Sequence, residues 1–154
     1  MKKLLIILIV ISVSICSLHS QNKTIKGRVI SDFFETMPGV SIMINDTVKV
    51  GRTDLNGFFQ IEIPNSVKKI LFRAIGLDLA SIELAEKYNE VEVVMMSTGT
   101  DDFITLKKAD KLRKKRFMKL PEIHKEAFDK GIFKTDKACY TQEFIPYKIK
   151  SRFF

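Results

Sequence analysis

Metal, redox and nucleophilic chemistry have little to work with in this sequence, whose 154 residues include two cysteines, Cys16 and Cys139, and two histidines, His19 and His124. A zinc site needs a cluster of imidazoles, thiolates and carboxylates, and nothing in the spacing of these four residues suggests one. A serine or cysteine nucleophile needs a base beside it, and His124 sits in a lysine-rich stretch expected to form a solvated helix. A glycine-rich loop of the phosphate-cradling kind is missing as well. Asp54-Leu55-Asn56-Gly57 has the look of a calcium loop, but the alignment puts Arg52 and Ile63 at the first and twelfth ligand positions, where carboxylates are required. The chain is therefore expected to be non-catalytic, with no metal and no cofactor.

Long apolar runs are scarce too. The run Leu4 to Ile11 follows Met1-Lys2-Lys3 and gives way to a serine-interrupted stretch ending at Ser20. A charged start, a short apolar run and a small residue near its end make the pattern of a secretory signal peptide, well short of the roughly 20 residues of a spanning helix. Residues 1–20 are expected to be removed on export, leaving Gln21 as the mature start, with an uncleaved anchor as the alternative. Cys16 offers another route, lipid attachment, although Ile15 stands where such signals carry a small residue. Without Cys16 no intramolecular disulfide can form, and Cys139 is expected to behave as a small, partly buried hydrophobe.

What the sequence does contain is divided between two chemically different parts. Residues 21–96 carry 9 Lys/Arg against 10 Asp/Glu, whereas residues 97–154 carry 15 against 8. The first part reads as short strands with alternating apolar positions: Ile25, Gly27 and Val29; Val40, Ile42 and Ile44; Phe59, Ile61 and Ile63; Ile70, Phe72 and Ala74; Val91, Val93 and Met95. Period two puts each set on one face of a strand, and strands with one apolar face bury it by packing sheet on sheet. Turn signals punctuate the strands at Pro38-Gly39, Asn45-Asp46, Asp54-Leu55-Asn56-Gly57, Pro64-Asn65-Ser66 and Gly76. The spacing predicts an all-β sandwich of about seven strands over residues 21–96.

The order of these segments resembles the carboxypeptidase-regulatory-like domain family. The resemblance is carried by Lys26-Gly27-Arg28-Val29-Ile30, Met37-Pro38-Gly39-Val40-Ser41-Ile42, Thr53-Asp54-Leu55-Asn56-Gly57-Phe58-Phe59 and Phe72-Arg73-Ala74-Ile75-Gly76-Leu77. It spans about 70 residues and implies a transthyretin-like (prealbumin-like) seven-stranded β-sandwich of the Gram-negative envelope, periplasmic, outer-membrane associated or secreted. Leu77 stands where the family usually has an aromatic, and neither a receptor barrel nor a peptidase follows. The resemblance therefore does not carry a transport role across.

The basic part, residues 97–154, reads as a helical and extended tail. Ser97-Thr98-Gly99-Thr100 forms a small-residue linker, and Thr100 with Asp101, Asp102 and Phe103 suits a helix start. Leu106, Ala109, Leu112, Arg113, Arg116, Phe117 and Leu120 recur at helical spacing beside a row of lysines. Pro121 can open a second helix and Gly131 can end it. Beyond that, Phe144 to Tyr147 reads as extended, and six aromatics in the last 22 residues argue for burial. The candidate contact residues for a partner or polyanion are Lys107, Lys108, Lys111, Arg113, Lys114, Lys115, Arg116 and Lys119. Three roles are open: packing on the sandwich, docking to an envelope protein, or contact with anionic lipid that would make the chain an envelope-surface adaptor, alone or with a lipidated Cys16. Nucleic acid is disfavoured, since an exported protein rarely meets it. On the sandwich itself, the segments Ser31 to Pro38 and Leu77 to Asn89 read as loops able to carry recognition.

Overall fold

The computed structural model describes residues 22–85, 88–99 and 104–147, which form two β-sheets and two helices. The expected signal segment with Cys16, the residues Thr100 to Phe103 and the final Phe153 and Phe154 lie outside this set. The strands are β1 (Asn22–Ser31), β2 (Ser41–Ile44), β3 (Val48–Arg52), β4 (Phe58–Pro64), β5 (Lys69–Arg73), β6 (Ala80–Leu84), β7 (Glu90–Met95) and β8 (Tyr140–Glu143). The helices are α1 (Leu106–Phe117) and α2 (Leu120–Asp129). One sheet has the order β4-β1-β7 and the other β3-β2-β5-β6-β8. All neighbours run antiparallel except β1 and β7.

The alternating positions do what their period requires. Ile25 and Val29 of β1, Ile61 and Ile63 of β4 and Val91, Val93 and Met95 of β7 meet Ile42, Ile70, Phe72 and Ile82 of the other sheet in a single buried core. Gly27 lies in this sheet because nothing larger fits: a Cβ there would stand 1.8 Å from the Val91 carbonyl oxygen. The Asp54 turn is equally specific. The Asp54 carboxylate accepts from the backbone N–H groups of Asn56 and Phe58 at 2.9 and 2.8 Å, and Gly57 takes φ +78 with the Val29 carbonyl 2.4 Å from where its Cβ would be. The buried Thr53 hydroxyl donates to the Met37 carbonyl at 2.6 Å and accepts from Val40 N–H at 2.9 Å, which ties the Pro38-Gly39 loop to the turn. Gly39 and Gly76 also have positive φ.

Three expectations need correction. Leu77 to Asn89 is not one loop, because β6 occupies its middle, hydrogen-bonded to both β5 and β8. Its signal, Ala80, Ile82 and Leu84 alternating with Ser81 and Glu83, is a period-two pattern in only five residues. The extended part of the tail is Tyr140–Glu143, upstream of the Phe144 to Tyr147 segment. Leu71, which the alternation of Ile70, Phe72 and Ala74 leaves on the outer face of its strand, is buried nonetheless.

The chain beyond Met96 supplies both a strand and a third layer. The helices cover the outer face of the three-stranded sheet, where Ile30, Val94 and Met96 pack with Leu120, Ala127 and Phe133. β8 extends the five-stranded sheet, and side chains of β8 and of Cys139 just before it close the seam to the other sheet. Cys139 Sγ–H, Tyr140 O–H and Gln142 Nε2–H donate to the carbonyls of Glu90, Glu92 and Val94 at 3.0, 2.9 and 3.5 Å. Those carbonyls alternate along the free edge of β7, so side chains do there what a neighbouring strand would otherwise do.

Candidate docking surface

Each basic residue singled out in the sequence has a definite place on or near α1. The helix begins after Thr105, whose side chain and carbonyl accept from Lys108 N–H, so the observed cap is Thr105. At about 100° per residue, Lys107, Lys108, Lys111, Lys114 and Lys115 fall within an arc of about 120°. All five are exposed, as is Lys119 just past the helix. None of the six forms an ion pair within the described residues. Arg116 is half-buried, and its Nη1 donates to the Ser97 carbonyl at 3.2 Å.

Arg113 belongs to the interior. Its side chain is 2% exposed and Asp78, its partner, 4%. Nε donates to Asp78 at 2.9 Å, Nη1 to Asp110 at 2.8 Å and Nη2 to the Ile145 carbonyl at 3.2 Å. The guanidinium lies 4.1 Å from the centre of the Tyr147 ring and 5.3 Å from that of Phe144. Burial alone would lower its pKa, but the hydrogen bond and charge of Asp78 outweigh that and hold it above the ordinary value. Arg113 thus cannot meet a partner. It pins the helix from below while the lysines point away. Ala109 is buried on the same side, whereas Leu106 and Leu112, expected in the apolar stripe, are exposed.

His124 is likewise not on a solvated face. It is 3% exposed, with its ring 4.8 Å from that of Phe133, and burial pushes its pKa down against the opposing influence of Glu92, the Thr135 backbone and Asp136. Periodicity places Ile123, Ala127 and Phe128 on one side of α2 without indicating that His124 lies under the Phe133 segment. Cys139 is half-buried and its thiol is pushed up, chiefly by burial, so it is a poor nucleophile. Among the described residues no group of three or more His, Cys, Asp or Glu side chains could hold a metal ion.

Sequence reasoning missed Asp78, Asp110 and Glu92 as elements of the site. Glu92 is a buried carboxylate that accepts from Lys134 N–H at 2.7 Å, Thr135 N–H at 3.1 Å and the Thr135 hydroxyl at 2.9 Å. Its signal was a charged residue between Val91 and Val93 in the apolar part of β7. No protein-family model matches the chain, and no curated protein matches it. The resemblance to carboxypeptidase-regulatory-like domains rests on the residues quoted for it.

Proposed function

We propose that this protein is a non-catalytic binding module of the bacterial cell envelope, exported through residues 1–20, which docks an acidic partner protein on the lysine face of α1. The carrying observation is the crowding of five lysines, with no ion pair among the described residues, on one face of a helix that is anchored from the opposite side. Like charges at i,i+3 and i,i+4, such as Lys107 with Lys111 and Lys111 with Lys114 and Lys115, each destabilise a helix by roughly 0.2–0.5 kcal/mol. Packing gives no reason to keep them, whereas a negative partner does. The sandwich acts as the rigid mount, and its sequence resemblance to carboxypeptidase-regulatory-like domains supports reading it as a transthyretin-like domain of that kind.

The alternative is an envelope-surface adaptor lying on anionic lipid. A membrane-surface helix buries its apolar side among the acyl chains. Ala109 and Phe117 of α1 are directed into the fold instead, which leaves Leu106 and Leu112 as the exposed apolar residues of the helix, a small surface for acyl chains, and this favours a protein partner. The test compares the full chain with a Lys107→Gln/Lys111→Gln/Lys114→Gln variant in affinity capture from native envelopes and in co-sedimentation with phosphatidylglycerol vesicles. The variant is expected to melt no lower than wild type and to lose an acidic envelope protein that the wild type captures. Vesicle binding lost in the variant, with no protein lost, would instead support the lipid-held adaptor.

A further inference from the structure

A groove of about 910 Å³ lies on the outer face of the five-stranded sheet, away from the three-stranded sheet on which α2 packs. This is within the size range of small-molecule sites. Register builds its floor. Ser41 of β2 lies opposite Arg52 of β3 and opposite Arg73 of β5, so a short side chain stands between two long cationic ones. Such opposed residues share a face, and a strand spacing of about 4.8 Å puts the two arginine Cα atoms about 10 Å apart. Lys49 adds a third cation to that face, opposite Met43. Lys49 and Arg52 are exposed, and neither forms an ion pair among the described residues. No described Asp or Glu lines the groove. Elsewhere on this face a cation is balanced, since Lys69 meets Glu143 at 2.7 Å. The walls are largely apolar: Met37, Met43 and Leu77 are half-buried, and Ile75 is fully exposed at the rim. That rim is held in place, because the Gly76 carbonyl accepts from Thr98 N–H at 2.9 Å. Sheet packing calls for neither the cations nor the open apolar wall, as the inner core lies on the opposite face of these strands.

We propose that this groove binds a soluble amphipathic phosphate, a phosphate monoester carried on an apolar chain. The phosphate sits at Arg52, Lys49 and the Ser41 hydroxyl, and the chain runs along Met37, Met43 and Ile75. A guanidinium offers paired donors that match two phosphate oxygens, while the ammonium and the hydroxyl can meet a third. A carboxylate has only two oxygens, which one guanidinium engages together, so donors from two strands suit the tetrahedral anion better. Methionine side chains adapt to an irregular apolar body. The concave shape takes in the body of one molecule, which a flat bilayer surface does not supply. The site does not depend on the lysine face of α1.

The experiment titrates the full chain with octyl phosphate by calorimetry, with 1-octanol, octanoate and inorganic phosphate as controls. Saturable binding of octyl phosphate is expected, with each control weaker. Arg52→Gln should weaken it about tenfold, the worth of a charge-assisted hydrogen bond, at an unchanged melting temperature. The Lys107→Gln/Lys111→Gln/Lys114→Gln variant should bind as wild type does. No saturable binding, equal affinity in Arg52→Gln, or loss of binding in the α1 variant overturns the site. Octanol binding as tightly overturns the anionic head, octanoate as tightly overturns the phosphate, and inorganic phosphate as tightly overturns the apolar body. Pelleting on phosphatidic acid vesicles that Arg52→Gln abolishes, without binding of octyl phosphate, assigns the surface to a membrane and overturns the soluble ligand. Should Arg52→Gln fail to fold, Lys49→Gln is expected to weaken binding in the same direction, and unchanged affinity there overturns the proposal.

Discussion

Protonating His124 would put a positive charge in the interior, against the ring of Phe133. The folded protein resists this, so the ring titrates below its ordinary 6.5, with burial the dominant cause. In the unfolded chain the ring takes up its proton near that ordinary value. The unfolded state thus binds the extra proton first as pH falls, and ∂ΔG/∂pH is positive in that window. The contribution of His124 to stability is complete above about pH 6.5 and is lost as pH falls from there toward the folded value. Urea unfolding of wild type and His124→Phe across about pH 5 to 8 should show curves that diverge toward acid, with the variant the less sensitive of the two. Parallel curves would mean that the ring reaches solvent or a partner and is not held neutral by the fold.

At the level of elements, α1 is held by a charge that it buries. Removing Arg113 takes from the buried Asp78 carboxylate the guanidinium that it meets at 2.9 Å, and the loss of one partner of a buried pair typically costs about 3–5 kcal/mol. Arg113→Met should therefore destabilise the protein by about that amount and speed hydrogen exchange in α1 before the strands. Adding Asp78→Asn should recover part of the loss, because the buried charge that Arg113 met is gone. No recovery would indicate that the shape of the guanidinium between Tyr147 and Asp78 matters more than its charge. This anchor also marks the limit of what the sequence reveals. Strands β1, β2, β4, β5 and β7 were legible because their apolar residues alternate, and the Thr53 to Phe58 turn because its side-chain chemistry is local. The reason for Gly27 was hidden, since the close approach of Val91 depends on a parallel pairing of residues more than 60 positions apart. β6 was hidden by its brevity and β8 by its polar sequence Tyr-Thr-Gln-Glu, which becomes a strand only beside β6. Arg113 could be placed on a helix but not in the interior, because Asp78 lies 35 residues away in the connection between β5 and β6.

On the scale of the whole molecule, the basic part closes the structure that the first part begins. Without residues 97–154, the sandwich would lose its helical cover, exposing Ile30, Val94 and Met96 on the outer face of the three-stranded sheet. It would also expose the unpaired edge of β6, and the carbonyls of Glu90, Glu92 and Val94 would lose their side-chain donors. Two bare strand edges beside an apolar face favour edge-to-edge association. A fragment ending at Met96 is therefore expected to aggregate or to unfold without cooperativity, although its own inner core of Ile25, Val29, Ile42, Phe72 and Val93 remains. Analytical ultracentrifugation with a urea melt distinguishes the outcomes. A monomeric, cooperatively folding fragment would mean that the tail is a detachable arm and that its contacts with β6 and β7 add little. The Lys→Gln variant of α1 provides the opposing control, since it removes charge from the tail without touching any buried contact. A tail that both completes the core and presents lysines should separate the two properties: truncation should destroy the fold, and neutralisation should spare the fold while abolishing docking.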